Sequence, residues 1–365
     1  MPLDLVATTP LSFFQDMKPD MQRKRIYIQA AEQISIQQPL SEQWMEDPIH
    51  YKDVLVKAVN PSFRDYLAPN DVRRMGNLMK RALVATLKVL DETQKPNPEA
   101  IITGTSLGSL DYSERFLDAL IVNDEQTLSP TYFMQSTHNT VGSTLSIYTK
   151  NHGYNTTYSH GALSFDLALL DAWMQMQLDK ISTALVGGYD EMVDNYFELL
   201  RKTGYVGVPG MVPCSETTMS MMLNTNVAPD HLCELAGICI LHRPDADRLK
   251  TQVEELLSEA KMSRADIFSV MTGVNGNADN DKPYLELAEE LFPDKPLLHY
   301  KHIFGENHTS SALGVYAAAH CLKRGTIPSF MYDSRHTFRC EALQNILFVN
   351  VTKGGDYSFV LLKKP

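Results

Sequence analysis

Basic residues are in short supply in this chain: 33 Lys and Arg stand against 44 Asp and Glu, a formal net charge of −11. Neutralising nucleic-acid phosphates needs a concentrated positive face, so nucleic acid is not an expected partner. Cysteine is sparse as well. Cys214, Cys233, Cys239, Cys321 and Cys340 are scattered without a C-x-x-C pair, which argues against a disulfide framework and against a zinc site; neither a metal nor a cofactor is expected. No apolar run approaches membrane-spanning length, and Met1-Pro-Leu-Asp-Leu-Val6 lacks a basic segment before an apolar core. The expectation is a cytoplasmic protein with no membrane span.

Present instead is an ordinary globular composition, 44% hydrophobic and 21% charged, over 365 residues, more than a single-core domain usually holds. The patterning reads as a duplication. Asp71 to Leu90 carries an apolar stripe of helical period with Asn70 as N-cap, and after Lys95-Pro-Asn-Pro98 come a strand, Ala100 to Thr103, and the turn Gly104-Thr-Ser-Leu-Gly108. Asp247 to Lys261 repeats the helix, Ile267 to Met271 the strand, and Thr272-Gly-Val-Asn-Gly276 the turn. Thr103-Gly104 and Thr272-Gly273 are thus equivalent, and the boundary between halves is expected at His242-Arg-Pro244, giving units 1–243 and 244–365. Strands alternating with helices imply mostly parallel, buried sheets.

The most informative stretch is Gly153-Tyr-Asn-Thr-Thr-Tyr-Ser-His-Gly-Ala-Leu-Ser-Phe-Asp166. It reads as a strand, a small-residue turn at Gly161-Ala162, and an apolar helix through Leu167, Leu170, Trp173 and Leu178, followed by the strand Ala184-Leu-Val-Gly-Gly188. Strand, elbow, buried helix, strand and glycine pair in that order resemble the β-ketoacyl synthases of the thiolase superfamily. The resemblance implies an α/β, thiolase-like fold, a duplicated α-β-α-β-α layering with two mixed, mostly parallel sheets. The family's spacing, counted back from Gly187, places its catalytic cysteine at Ala162.

Ketosynthase chemistry needs a thiolate for the acyl chain, two histidines and a supporting lysine. By resemblance, Thr272 stands where the first histidine belongs, Lys301 in Leu298-His-Tyr-Lys301 is the lysine, and Glu306 aligns with the second histidine, which His308 replaces or displaces. Asn350-Val-Thr-Lys-Gly-Gly355 keeps the C-terminal asparagine and glycine pair, with Gly354 and Gly355 as substrate-loop positions. Phe133 and His138 fall in the region that lines the family's tunnel and dimer seam. With cysteine and first histidine missing, the chain resembles the chain-length-factor and aryl polyene ketosynthase-like subunits. That implies a non-condensing protein of fatty acid, polyketide or aryl polyene biosynthesis, a heterodimer with an active ketosynthase or a homodimer, served by acyl carrier protein. Arg23-Lys24-Arg25, Arg73-Arg74 and Lys80-Arg81 read either as solvated faces or as docking sites for an acidic carrier.

Two alternatives stay open. A divergent site could still transfer acyl groups. Gly104-Thr-Ser-Leu-Gly108 also matches G-x-S-x-G after a strand, which would make Ser106 the nucleophile of a hydrolase with Asp190 and a base from His302, His308 or His320. Ser159-His160 beside Ala162 reads as structural, with His160 a buried, hydrogen-bonded residue.

Overall fold

A computed structural model describes residues 23–124, 129–227, 230–334 and 342–365. The first half contributes β1 (Tyr27–Ile34), β2 (Ala100–Gly104), β3 (Tyr154–Tyr158), β4 (Thr183–Asp190) and β5 (Thr217–Asn224). The second contributes β6 (Cys233–Leu241), β7 (Ser269–Thr272), β8 (Leu297–His299), β9 (Asn345–Val351) and β10 (Tyr357–Lys363). The longer helices are α1 (Asn77–Thr93), α2 (Leu110–Val122), α3 (Pro130–Ser136), α4 (Thr140–Thr149), α5 (Ser164–Gln177), α6 (Asp194–Lys202), α7 (Ala246–Glu259), α8 (Ala278–Leu291) and α9 (Ser310–Arg324).

Strand order runs β3-β2-β4-β5-β1-β6-β10-β9-β7-β8, so each half uses its five strands in the same order and the duplication read from sequence is present. Its repeat begins at β6, upstream of the boundary expected at 243/244. Among the described residues the two half-sheets pair through a short junction, Tyr27↔Glu234 and Ile28↔Cys233, flanked by the Leu232 and Leu235 amides on the Ile28 and Ile26 carbonyls, and this junction joins what were expected to be two sheets into one. The pairing is also less parallel than expected. β2 pairs in parallel with β3 and β4, and β7 with β8 and β9, but the other five pairings are antiparallel.

Layering follows from strands that are apolar on both faces. On β9, Ile346 and Phe348 join the central core while Leu347 and Val349 join the outer one, and β10 divides Val360 and Leu362 from Phe359 and Leu361 in the same way. The central core wraps α5 and α9, the second half carries α7 and α8 outside, and the first half carries α1 and α4 outside. This is the expected α-β-α-β-α sequence of layers. Ser310 to Leu322 of α9 is buried all round, and a Cβ at Gly314 would stand 2.3 Å from Phe348, so the helix fits only because that position has no side chain.

Two sequence expectations change. The helix expected from Asp71 splits: Gly76 is extended and packs against the Tyr112 ring, so α1 starts at Asn77 and Asn70 lies inside a separate turn, 69–72. The basic clusters divide between interior and surface. Arg81 is buried and pairs with Glu216 at 2.5 Å, whereas Arg23 and Lys24 are half-buried and Arg25 is exposed, paired with Glu259, Asp179 and Glu234; Arg73 and Arg74 are exposed as well.

Burial alone pushes the Glu216 carboxyl up, but Arg81 and the amides of Ala58 and Met192 outweigh it and hold the group below its ordinary 4.5. Its stabilising contribution is therefore complete above that value and is lost as pH falls through the lower, folded one. Arg81→Met leaves a buried carboxylate without its cation and is expected to cost about 3–5 kcal/mol at neutral pH. Denaturant titrations across pH should show the gap between variant and parent narrowing below pH 4.5.

Candidate functional site

The turn between β3 and α5 is built around Gly161, whose φ of +54° favours glycine and whose would-be Cβ faces open space. Ser164 closes the turn, its Oγ accepting from the His160 amide at 2.8 Å and donating to the Gly161 carbonyl at 2.7 Å. Gly104, at the end of β2, lets α5 approach: a Cβ there would lie 2.4 Å from the Ser164 carbonyl. From the other half, Asn350 Nδ2 donates to the Ala162 carbonyl at 2.9 Å and to Asp166 Oδ2 at 3.1 Å, and Ser311 Oγ donates to the same carboxylate at 2.7 Å. Burial pushes the Asp166 carboxyl up against the pull of these donors. The elbow is thus clamped by β9 and α9.

Ala162 opens onto a cleft of about 490 Å³ whose wall includes His160, Leu200, Tyr205, His308, Lys353 and Gly354. The structure therefore brings together the elbow, His308 and the C-terminal glycine loop. His308 follows Gly305, at φ +79°, and is half-buried. Its Nε2 hydrogen-bonds Tyr196 Oη at 2.7 Å, and its ring stacks on Tyr205 at 6.2 Å between centroids. Lys353 Nζ lies 5.6 Å from the Tyr205 ring. No cysteine lines this cleft among the described residues; Cys214, Cys233, Cys239 and Cys321 are buried, and Cys340 lies outside the described residues.

The remaining expected groups stand elsewhere. Thr272 turns toward His299, Oγ1 to Nδ1 at 3.0 Å, and His299 Nε2 reaches Asp333 at 3.1 Å. Lys301 Nζ donates to Glu306 Oε2 at 2.7 Å, an oxygen that also accepts from Asn275 Nδ2 at 2.7 Å, and all three residues are buried. Gly355, at φ +85°, forms the hairpin between β9 and β10, while its neighbour Gly354 faces the cleft. Phe133, within α3, and His138, beyond its end, are exposed and not part of the cleft wall, Phe133 resting on Phe116.

His160 is exposed on the cleft wall rather than buried as expected. Ser106 is buried, and none of the hydrogen bonds among the described residues joins its Oγ to a histidine. Asp190 is committed to the 105–107 turn, accepting from Thr105 Oγ1 at 2.8 Å and the Ser106 amide at 3.0 Å. Burial pushes this carboxyl up, with His308 the strongest influence in the opposite direction. His302 sits edge-on to Phe330, and His320 contacts the Ala31 carbonyl and Glu42. The serine triad is not assembled. Among the described residues, no group of three or more His, Cys, Asp or Glu could hold a metal ion, and no helix is long and apolar enough to cross a membrane.

Tyr196, Tyr205 and Lys353 were not legible as site residues. Lys353 lies within the Asn350 to Gly355 motif but carries no signal of its own there, and near the tyrosines the glycine-rich stretch Gly204 to Gly210 marks a loop and says nothing of where its tyrosine points.

Three solved structures place the fold. The structure titled the ishigamide ketosynthase/chain length factor superposes with a TM-score of 0.77 at 16% identity, covering 94% of this chain and 100% of that one. The ketosynthase ApeO in complex with its chain length factor ApeC from Xenorhabdus doucetiae gives 0.76 at 14%, covering 94% and 98%. A type II polyketide acyl carrier protein in complex with its ketosynthase, AntDE:AntF, gives 0.72 at 14%, covering 94% and 100%. None of the curated proteins matches the sequence. The family model of the β-ketoacyl synthase N-terminal domain matches residues 42–260. With more than half its length matched by that model and a thiolase-like fold throughout, this chain belongs to the β-ketoacyl synthase family.

Proposed function

We propose that this chain is a non-condensing, chain-length-factor-type subunit of fatty acid, polyketide or aryl polyene biosynthesis, paired with an active ketosynthase and served by acyl carrier protein. The observation that carries the reading is the cleft at Ala162, which no cysteine lines among the described residues. A methyl group cannot hold an acyl chain as a thioester. The Lys301–Glu306 pair supports it further. Both groups are buried and bonded to each other, so the lysine's charge is neutralised by a carboxylate and its role is structural.

The partner reading draws on the surface. Among the described residues β3 lies at the end of the strand order and pairs only with β2, and Phe133, Met134 and Ile147 nearby are 57%, 67% and 78% exposed. Apolar groups beside an open strand edge suit a second ketosynthase-fold chain. The complexes named in the superposed structures point the same way.

The protein as isolated is expected to form no covalent adduct with cerulenin or with an acyl-carrier thioester, as read by intact mass spectrometry; an adduct on the Ser159 peptide would overturn the reading. Ala162→Cys should gain one acyl group and then fail to elongate it, because Thr272 supplies neither acid–base nor oxyanion help, contributions worth roughly 10²–10³-fold each. Sustained turnover from that single change would contradict the assignment of Thr272. Lys301→Met should lower stability by about 3–5 kcal/mol by stranding Glu306, with Lys301→Met/Glu306→Gln recovering much of the loss. Co-expression with an intact ketosynthase encoded beside it should yield a stable heterodimer with an altered product profile; if the ketosynthase alone gives the same products at the same rate and no complex is recovered, the subunit reading fails.

A further inference from the structure

Between α6 and β5 the chain forms a strap along the cleft wall, and Tyr205 is the side chain it delivers. Gly204, Gly207 and Gly210 hold left-handed φ values of +72°, +70° and +91°, so the strap's path is set at glycine positions where an L side chain would be strained. Tyr205 is tied at its base by its amide, which donates to the Leu200 carbonyl at 3.1 Å. Its ring has His308 against it on one side and the Lys353 ammonium close by, and it packs onto a small apolar cluster of Met192, Phe197, Val206 and Cys214. This cluster is separate from the three larger cores of the molecule. The cleft wall thus carries charged groups of both signs, Lys353 and Asp356, beside Tyr205, and an apolar cluster packs against that ring.

We propose that Tyr205 is a plug that decides what the cleft admits: with the ring seated, the apolar cluster behind it is closed to a ligand's tail, and with the ring displaced the volume it vacates takes the end of a linear acyl chain. The acyl identity of the ligand rests on the ketosynthase-family reading above. The plug itself rests on the packing. A ring wedged between a histidine and an apolar cluster fills volume that a flexible alkyl chain can fill equally well, since both present apolar surface of similar section. In a subunit that performs no condensation, such a plug keeps carrier-bound acyl chains from being stranded in a cleft that cannot react with them.

Cys214 is a built-in reporter behind the plug. Burial and the nearby Glu306 push its thiol up to about 12, so in the parent protein it should react slowly with N-ethylmaleimide. The experiment compares the parent, Tyr205→Ala and Tyr205→Phe by peptide-resolved alkylation, with the buried Cys233 and Cys321 as controls for general opening. In Tyr205→Ala, Cys214 should label about tenfold faster while the two controls stay slow, and octanoyl-N-acetylcysteamine should protect it where the acetyl analogue does not. Tyr205→Phe, which keeps the ring, should behave as the parent. If Cys214 in Tyr205→Ala stays as slow as in the parent, or the octanoyl thioester gives no protection, the proposal is wrong. Should Tyr205→Ala label at every cysteine, Tyr205→Leu is tested by the same criteria, and general labelling there too would make Tyr205 a packing residue and end the proposal. None of these readouts needs the partner ketosynthase, so failure to recover a heterodimer leaves them untouched, and their failure leaves the heterodimer test untouched.

Discussion

Everything in this molecule is arranged around a helix that has no outside. From Ser310 to Leu322 α9 is buried on all its faces between the two half-sheets, so most of its residues must be small or apolar, and each half-sheet must offer it a flat apolar face. Gly314 against Phe348 and Ala312 near Gly188 show how closely the backbones approach. Because interiors pack at crystal-like density, the first turn of α9 is fixed to within a fraction of an ångström. Ser311, which clamps Asp166, lies in that turn, and His308 in the loop just before it. The cleft inherits its geometry from the core.

The same dependence explains the polar clamp. Asp166 cannot reach water, and a buried carboxyl is tolerated only where donors surround it. Ser311 comes from α9 and Asn350 from β9, so a single carboxyl in the first half gathers groups from two elements of the second. Fold and site are joined here, since Asn350 also holds the Ala162 carbonyl. A chain without catalytic use for this elbow would still have reason to keep it.

How much of this was legible in the sequence depends on what kind of signal each residue carries. Strand, elbow and helix around Ala162 declare themselves through periodicity and glycine, and the doubled helix, strand and Thr-Gly turn announce the duplication. The proportions of parallel and antiparallel pairing do not, because β5 and β10, buried on both faces, look the same in either direction. Arg81 shows why charge patterns mislead: beside Lys80 it reads as surface, and only the fold reveals Glu216 waiting inside. Gly76 breaks a helix whose apolar stripe runs straight through it. Tyr205 and Tyr196 are invisible for a different reason, since a loop residue's direction is set by backbone torsions that no period encodes. The aligned groups that came apart, Thr272 and Lys301, did so because each found a polar partner closer than the cleft.

The narrow junction between the half-sheets carries one more implication. The Leu235 and Leu232 amides extend the junction to the Ile26 and Ile28 carbonyls, and beyond Ile28 β1 runs on as a buried sheet border to which no residue of β6 is paired among the described residues. Unclaimed borders are where chains recruit one another into aggregates. Here the exposure is met one group at a time: His320 reaches the Ala31 carbonyl from α9, and the Leu40 amide donates to the Gln33 carbonyl. The molecule thereby keeps one sheet margin where no other chain can find it, a histidine and a loop amide standing in for rungs that a neighbouring strand would supply.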